Sequence, residues 1–173
     1  MNKELVMPKV LVLAILLSVL VGGVSAVDAQ EGGGGSLTAQ DYVDIQQLYA
    51  RYNFAIDSGD IEAYVALYTP DGSFNTFTGQ DGLRTFMKNR NGGTRRHWNT
   101  NLVITPTPEG AKGAVYLMFL DVGMKPPAVT GAGKYEDALV RTPQGWRFKK
   151  RQTFPDPPAA PPPAMLPPQQ TPR

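Results

Sequence analysis

Ile45-Gln-Gln-Leu-Tyr-Ala-Arg-Tyr-Asn-Phe-Ala-Ile-Asp-Ser-Gly-Asp60 is the stretch on which the fold turns. Within it Ile45, Leu48, Tyr49, Tyr52 and Ile56 recur at helical spacing. Just upstream, Thr38-Ala-Gln-Asp41 has the form of a capping box, with Thr38 accepting from first-turn amides and Asp41 answering. The spacing predicts a first helix over 38–57. Ser58-Gly59 stops it, Asp60 caps a short second helix carrying Ile61, Tyr64, Val65 and Tyr68, and Pro70-Asp71-Gly72 ends that helix in a turn. Two helices therefore meet at a tight corner beside Asp57.

Beyond the corner, a short strand is expected around 73–78, then a third helix over 81–89 with Leu83, Phe86 and Met87 on one side, ended by Asn91-Gly92-Gly93. From there the period changes. The runs 94–105, 112–122, 129–141 and 146–154 are strand-like and are separated by Pro-Glu-Gly, Lys-Pro-Pro and Pro-Gln-Gly turns, which suits an antiparallel meander. Helices first and a sheet afterwards is an α+β arrangement.

The flanks obey other rules. Lys3 and Lys9 precede an apolar run over 10–17, continued by 19–21, and small-residue sites end at Ala26 and Ala29; this is the anatomy of a signal peptide over 1–29, too short an apolar run for a retained membrane anchor. Export to a secreted or periplasmic location follows, with no stable membrane span after cleavage. Residues 30–36 are a Gly-rich linker, and 155–173 carry nine prolines in 19 residues, an extended disordered tail. The domain is then 37–154, one core for a chain of 173 residues. With a net charge of +2 and Lys and Arg dispersed except at Arg95-Arg96 and over 147–151, nothing asks for nucleic acid; both basic clusters are expected to be solvated faces. Zero cysteines and one histidine leave no thiolate nucleophile and no His-Glu-x-x-His or cysteine metal set, so neither a metal nor a cofactor is expected. No Gly-x-Ser-x-Gly elbow exists, and Gly131-Ala-Gly133 precedes a strand, where close backbone packing at a bend is expected rather than a phosphate loop.

The helical stretch 45–60, continuing to Tyr64 and Leu67-Tyr68-Thr-Pro-Asp-Gly72, resembles the opening of SnoaL-like proteins of the NTF2-like superfamily, and Tyr135-Glu-Asp followed by Gly145-Trp-Arg-Phe148 resembles their last two strands. The resemblance implies an NTF2-like cone, three N-terminal helices packed on a strongly curved, mainly antiparallel sheet with a pocket for a small hydrophobic molecule. It also implies a homodimer or homotrimer. His97-Trp-Asn-Thr-Asn-Leu102 is similar to the strand that carries the catalytic histidine in the scytalone dehydratase and lindane dehydrochlorinase branch, where an aspartate partner stands at the position of Asp57. Phe74, Phe77, Phe86, Leu117 and Phe119 are the candidate pocket hydrophobics.

From the residues themselves, Asp57 closes the inner stripe of the first helix and can point back into the domain, or equally cap the next helix. On the strand, alternation puts His97, Asn99, Asn101 and Val103 on one face and Trp98, Thr100, Leu102 and Ile104 on the other; the polar face either lines the pocket or meets solvent. If the two meet, Asp57 fixes the His97 tautomer and leaves the other ring nitrogen to take a proton, the chemistry of a lyase (dehydratase) or isomerase. Tyr52, Tyr64, Asn99 and Arg141 are the candidate substrate-binding donors. A non-catalytic ligand-binding or dimerisation module of the cell envelope suits the exported, tethered chain as well.

Overall fold

The computed structural model describes residues 36–90 and 93–157. Three helices, α1 (Ala39–Ser58), α2 (Ile61–Val65) and α3 (Gly79–Asn89), are followed by the long strands β3 (Arg95–Thr107), β4 (Gly110–Asp121), β5 (Ala128–Thr142) and β6 (Gly145–Pro155), with a hairpin of β1 (Tyr68–Phe74) and β2 (Phe77–Thr78) before α3. The sheet order is β2-β1-β6-β5-β4-β3. Only the β1–β6 pairing is parallel; the others are antiparallel. This is the expected α+β cone, a curled, mainly antiparallel sheet with helices packed on it.

The capping box is formed as the sequence predicts: Asp41 N–H donates to Thr38 Oγ1 at 3.2 Å, and Thr38 N–H donates to the Asp41 carboxylate at 2.9 Å. Gly59 ends α1 in the left-handed region at φ 73°, a conformation that glycine adopts without a Cβ penalty. Asp60 then accepts from Ala63 N–H at 3.0 Å and starts α2, so the corner beside Asp57 is fixed by two consecutive caps. The stripe Ile45, Leu48, Tyr52 and Ile56 is buried, in one cluster with Val115, Leu117, Tyr135, Leu139 and Phe148 of the sheet.

Three expectations need correction, and two share a cause. Tyr68, expected on α2, opens β1 instead, and Pro70-Asp71-Gly72 is not a turn after α2 but the irregular middle of that strand, where the parallel register shifts between Tyr68 and Ser73. Burying Tyr68 and Phe74 holds that segment on β6, and a Cβ on Gly72 would lie 2.9 Å from the Phe148 carbonyl. In β3 the alternation breaks at Asn101, a residue at φ 57° in a bulge between Thr100 and Val103. Asn101 and Val103 therefore face solvent, whereas Leu102 and Ile104 pack on the core. In β6 a second shift skips Lys149, so Arg151 takes the inward position that strict alternation from Trp146 and Phe148 would give to Lys150. The basic run 147–151 is thus not a solvated face throughout, because Arg151 is completely buried.

Gly133 does lie where backbones crowd, a Cβ there colliding with the Phe154 carbonyl, whereas Gly131 faces the Phe119 ring, 3.1 Å from where a Cβ would stand. Gly113 leaves room for the Tyr49 hydroxyl, which donates to Asp137. Gly113→Ala should displace Tyr49 from that bond and cost about 1–3 kcal/mol in urea unfolding. An unchanged midpoint would show that Tyr49 moves freely. The expected signal peptide, the Gly-rich linker up to residue 35 and the tail from residue 158 lie outside the described residues; Pro155, placed in the tail by composition, is the last residue of β6. Among the described residues no helix is long and apolar enough to cross a membrane.

Candidate functional site

β3 is an edge strand, so the outward N–H of His97 has no strand partner. The last turn of α1 supplies one. Asp57 Oδ2 accepts from His97 N–H at 2.9 Å, and Asp57 Oδ1 meets His97 Nδ1 at 2.5 Å. One carboxylate thus holds both the backbone and the ring of one residue, which fixes ring orientation and assigns the Nδ1 proton to the shared bond when the imidazole is neutral. His97 is 6% exposed, and its ring sits edge-on against Phe119 at 4.9 Å between centroids.

Burial pushes the His97 pKa below its ordinary value of 6.5; Asp57 opposes that shift, and the charges of Arg90 and Arg95 add to it. The imidazole is therefore neutral at pH 7, the state a proton acceptor needs. Two adjoining grooves of about 580 and 510 Å³ share Asn53, His97 and Trp98; Asp57, Phe54 and Arg96 complete the first, Asn99, Thr100 and Met118 the second. Asn53 and Asn99 each present a buried side-chain oxygen without a hydrogen-bond partner among the described residues. Such groups cost free energy unless water or a ligand satisfies them. A further groove of about 570 Å³ lies across Phe54, lined by Arg51, Ala63, Leu67 and Arg147, but it contains no acid–base pair.

The structure brings together His97, Asp57 and Asn99 of the residues singled out from sequence. Tyr52 and Tyr64 are elsewhere: both are fully buried, their rings 5.4 Å apart, and Tyr64 shares a hydrogen bond with the Tyr68 hydroxyl at 3.2 Å. Arg141 is at the other end of α1, donating to Asp41 at 2.8 Å beside Trp146 Nε1, which donates to the same carboxylate at 2.9 Å. Asp41 and Asp57 are about 24 Å apart along the helix axis, so Arg141 is no donor to a ligand at His97. Of the expected pocket hydrophobics, Phe119 touches His97, whereas Phe74, Phe77 and Phe86 stack on one another with centroids 4.5 and 5.4 Å apart.

Arg151 was not singled out at all, yet it anchors the helix that carries Asp57. Its Nε and Nη2 donate to Asp137 at 2.8 and 2.7 Å, and Tyr49 donates to the same carboxylate. The guanidinium carbon lies 4.0–4.7 Å from the ring centroids of Tyr49, Tyr52, Tyr135 and Phe148, so two residues of α1 are clamped to β5 and β6 around one charge. Burial alone would lower its pKa; the Asp137 carboxylate outweighs that and holds it well above the ordinary range. Tyr49 lies about 12 Å from Asp57 along the helix, so the clamp positions the site without touching it.

The SnoaL-like domain model matches residues 37–152, two helices, hairpin, third helix and meander included. The chain belongs to the SnoaL-like family. A Nostoc punctiforme PCC 73102 protein of unknown function with a cystatin-like fold is 26% identical, with a TM-score of 0.65 over 70% of this chain and 96% of that one. ActVI-ORFA from Streptomyces coelicolor is 22% identical, with a TM-score of 0.61 over 66% of this chain and 97% of its own. A protein from Novosphingobium aromaticivorans DSM 12444, provisionally named a scytalone dehydratase, is 20% identical, with a TM-score of 0.57 over 68% and 85%. These likenesses establish the NTF2-like fold of the SnoaL-like domain, and that of the last two, at such identity, carries the fold alone. No curated protein matches the chain.

Proposed function

We propose that this SnoaL-like protein is an exported, cofactor-independent lyase (dehydratase) or isomerase in which His97 is the general base and Asp57 its orienter. The observation that carries this is the double hydrogen bond from one carboxylate to the His97 ring and backbone at 2.5 and 2.9 Å, at the wall of a groove. With Nδ1 held by Asp57, Nε2 of the neutral ring is the atom that takes a proton from carbon or oxygen of a small hydrophobic substrate. Asp57 stabilises the imidazolium that results, and the same proton then returns to the leaving hydroxyl in a dehydration, or to a second carbon in an isomerisation. Asn99 and Asn53, with unsatisfied amide oxygens beside the ring, accept from substrate hydrogen-bond donors. Tyr52 and Tyr64 act through the core.

A second possibility is a ligand-binding or dimerisation module, since an aspartate that caps an edge-strand N–H serves the fold without any reaction. The exposed Trp98, Val103 and Tyr116 on the outer sheet face suit a homodimer or homotrimer. The first test uses the single histidine as a clean NMR reporter, titrated in the wild-type protein and in Asp57→Asn. Wild-type His97 should titrate below 6.5. In Asp57→Asn it should titrate lower still, because the carboxylate is the influence that raises it. Identical titrations would mean that no charged pair exists in solution and would leave the binding module.

A further inference from the structure

We infer that the ligand of the His97 groove carries an anionic group, a carboxylate attached to a flat aromatic body, and that Arg96 receives it. The inference rests on the groove being the working site. Its aromatic half is carried by Phe54 and Trp98, 81% and 54% exposed, two large apolar side chains left open beside a groove they both line. Exposed rings flanking a polar cleft are stacking platforms for a planar ligand.

Its anionic half follows from unbalanced charge. Arg90, Arg95 and Arg96 gather around the dyad, and among the described residues none of them forms an ion pair. Arg90 is spent on the Ile56 carbonyl at the end of α1. Arg95 lies 5.2 Å above Phe119, the ring that meets His97. Arg96 donates only to main-chain oxygens, of Gly93 at 3.4 Å and Arg95 at 3.1 Å, both through Nη1, so its Nε and Nη2 can still donate to a bidentate partner. Asp57 is the carboxylate lining the groove, and both its oxygens are engaged by His97, so Arg96 has no carboxylate partner there to bind directly. A ligand carboxylate supplies that partner. The same cations stabilise the oxyanion that develops when a neutral His97 takes a proton next to a carbonyl.

The test titrates the full-length protein with 2-naphthoate and with its neutral counterpart 2-naphthamide, following the His97 ring signals and the two indole N–H signals by NMR. Naphthoate should shift His97 and Trp98 but not the buried Trp146, and should bind at least about tenfold more tightly than naphthamide. That advantage should shrink as salt rises from about 0.05 to about 0.5 M and disappear in Arg96→Gln, whose folding is safe because Arg96 is exposed and bonds only to carbonyls. Equal affinity for the two probes, no binding of either, or an unchanged Arg96→Gln protein overturns the inference and leaves the His97–Asp57 titration to stand by itself. If instead that titration shows no pair while Arg96-dependent naphthoate binding persists, the proton-transfer reading fails and the anion site remains.

Discussion

Arg151→Met is expected to lower the thermal midpoint by about 10–20 °C. The substitution keeps the apolar stem and removes the charge, which leaves Asp137 buried without its cation; breaking a buried pair in this way costs about 3–5 kcal/mol, and each kcal/mol is worth several degrees in a domain of this size. Asp137 is 5% exposed and also receives Tyr49, so the orphaned carboxylate has no route to water without pulling α1 off the sheet. Adding Asp137→Leu to Arg151→Met should recover part of the loss, since two neutral side chains of similar size bury no unpaired charge. A single variant that melts within a degree or two of the wild type would mean that the clamp contributes little. A double variant no more stable than the single one would mean that the four rings, rather than the ion pair, need the guanidinium.

His97→Gln should reduce kcat/KM by about 10²- to 10⁴-fold on any substrate that the protein turns over, with the folded domain intact. Glutamine can keep a hydrogen bond to Asp57 but cannot exchange a proton near neutral pH, so the effect separates chemistry from architecture. The wild-type pH profile should have an acidic limb below 6.5, because burial, with Arg90 and Arg95, lowers the His97 pKa and the base is lost only once it is protonated. Asp57→Asn should move that limb to lower pH and reduce the rate on the plateau, as the tautomer is no longer fixed. A His97→Gln protein with unimpaired turnover would remove His97 from the reaction.

Much of this was legible in the sequence because it depends on neighbours in the chain. The capping box at Thr38, the Gly59 stop, the Asp60 cap and the turn residues between long strands are local chemistry, and elements α1, α3 and β3 to β6 lie within about two residues of their expected bounds, while α2 starts where expected but stops at Val65, short of Tyr68. The pairing of Asp57 with His97 was legible only through resemblance. A helix-end aspartate and a strand histidine 40 positions apart carry no local signal that they meet.

What the sequence by itself determined is the order and type of the elements, through periodicity and caps, while the cone and its family came from the resemblance of 45–72 and 135–148 to SnoaL-like proteins. The tertiary structure alone decided which side chains face inward along the two strands that matter. The bulge at Asn101 turns Asn101 outward and Leu102 inward, and the shift at Lys149 puts Arg151 into the core in place of Lys150. A side-chain period of two makes each extra residue reverse every assignment after it. Where a bulge falls is settled by packing against α1 and the neighbouring strand, here by Asp137 and four rings that accept a guanidinium.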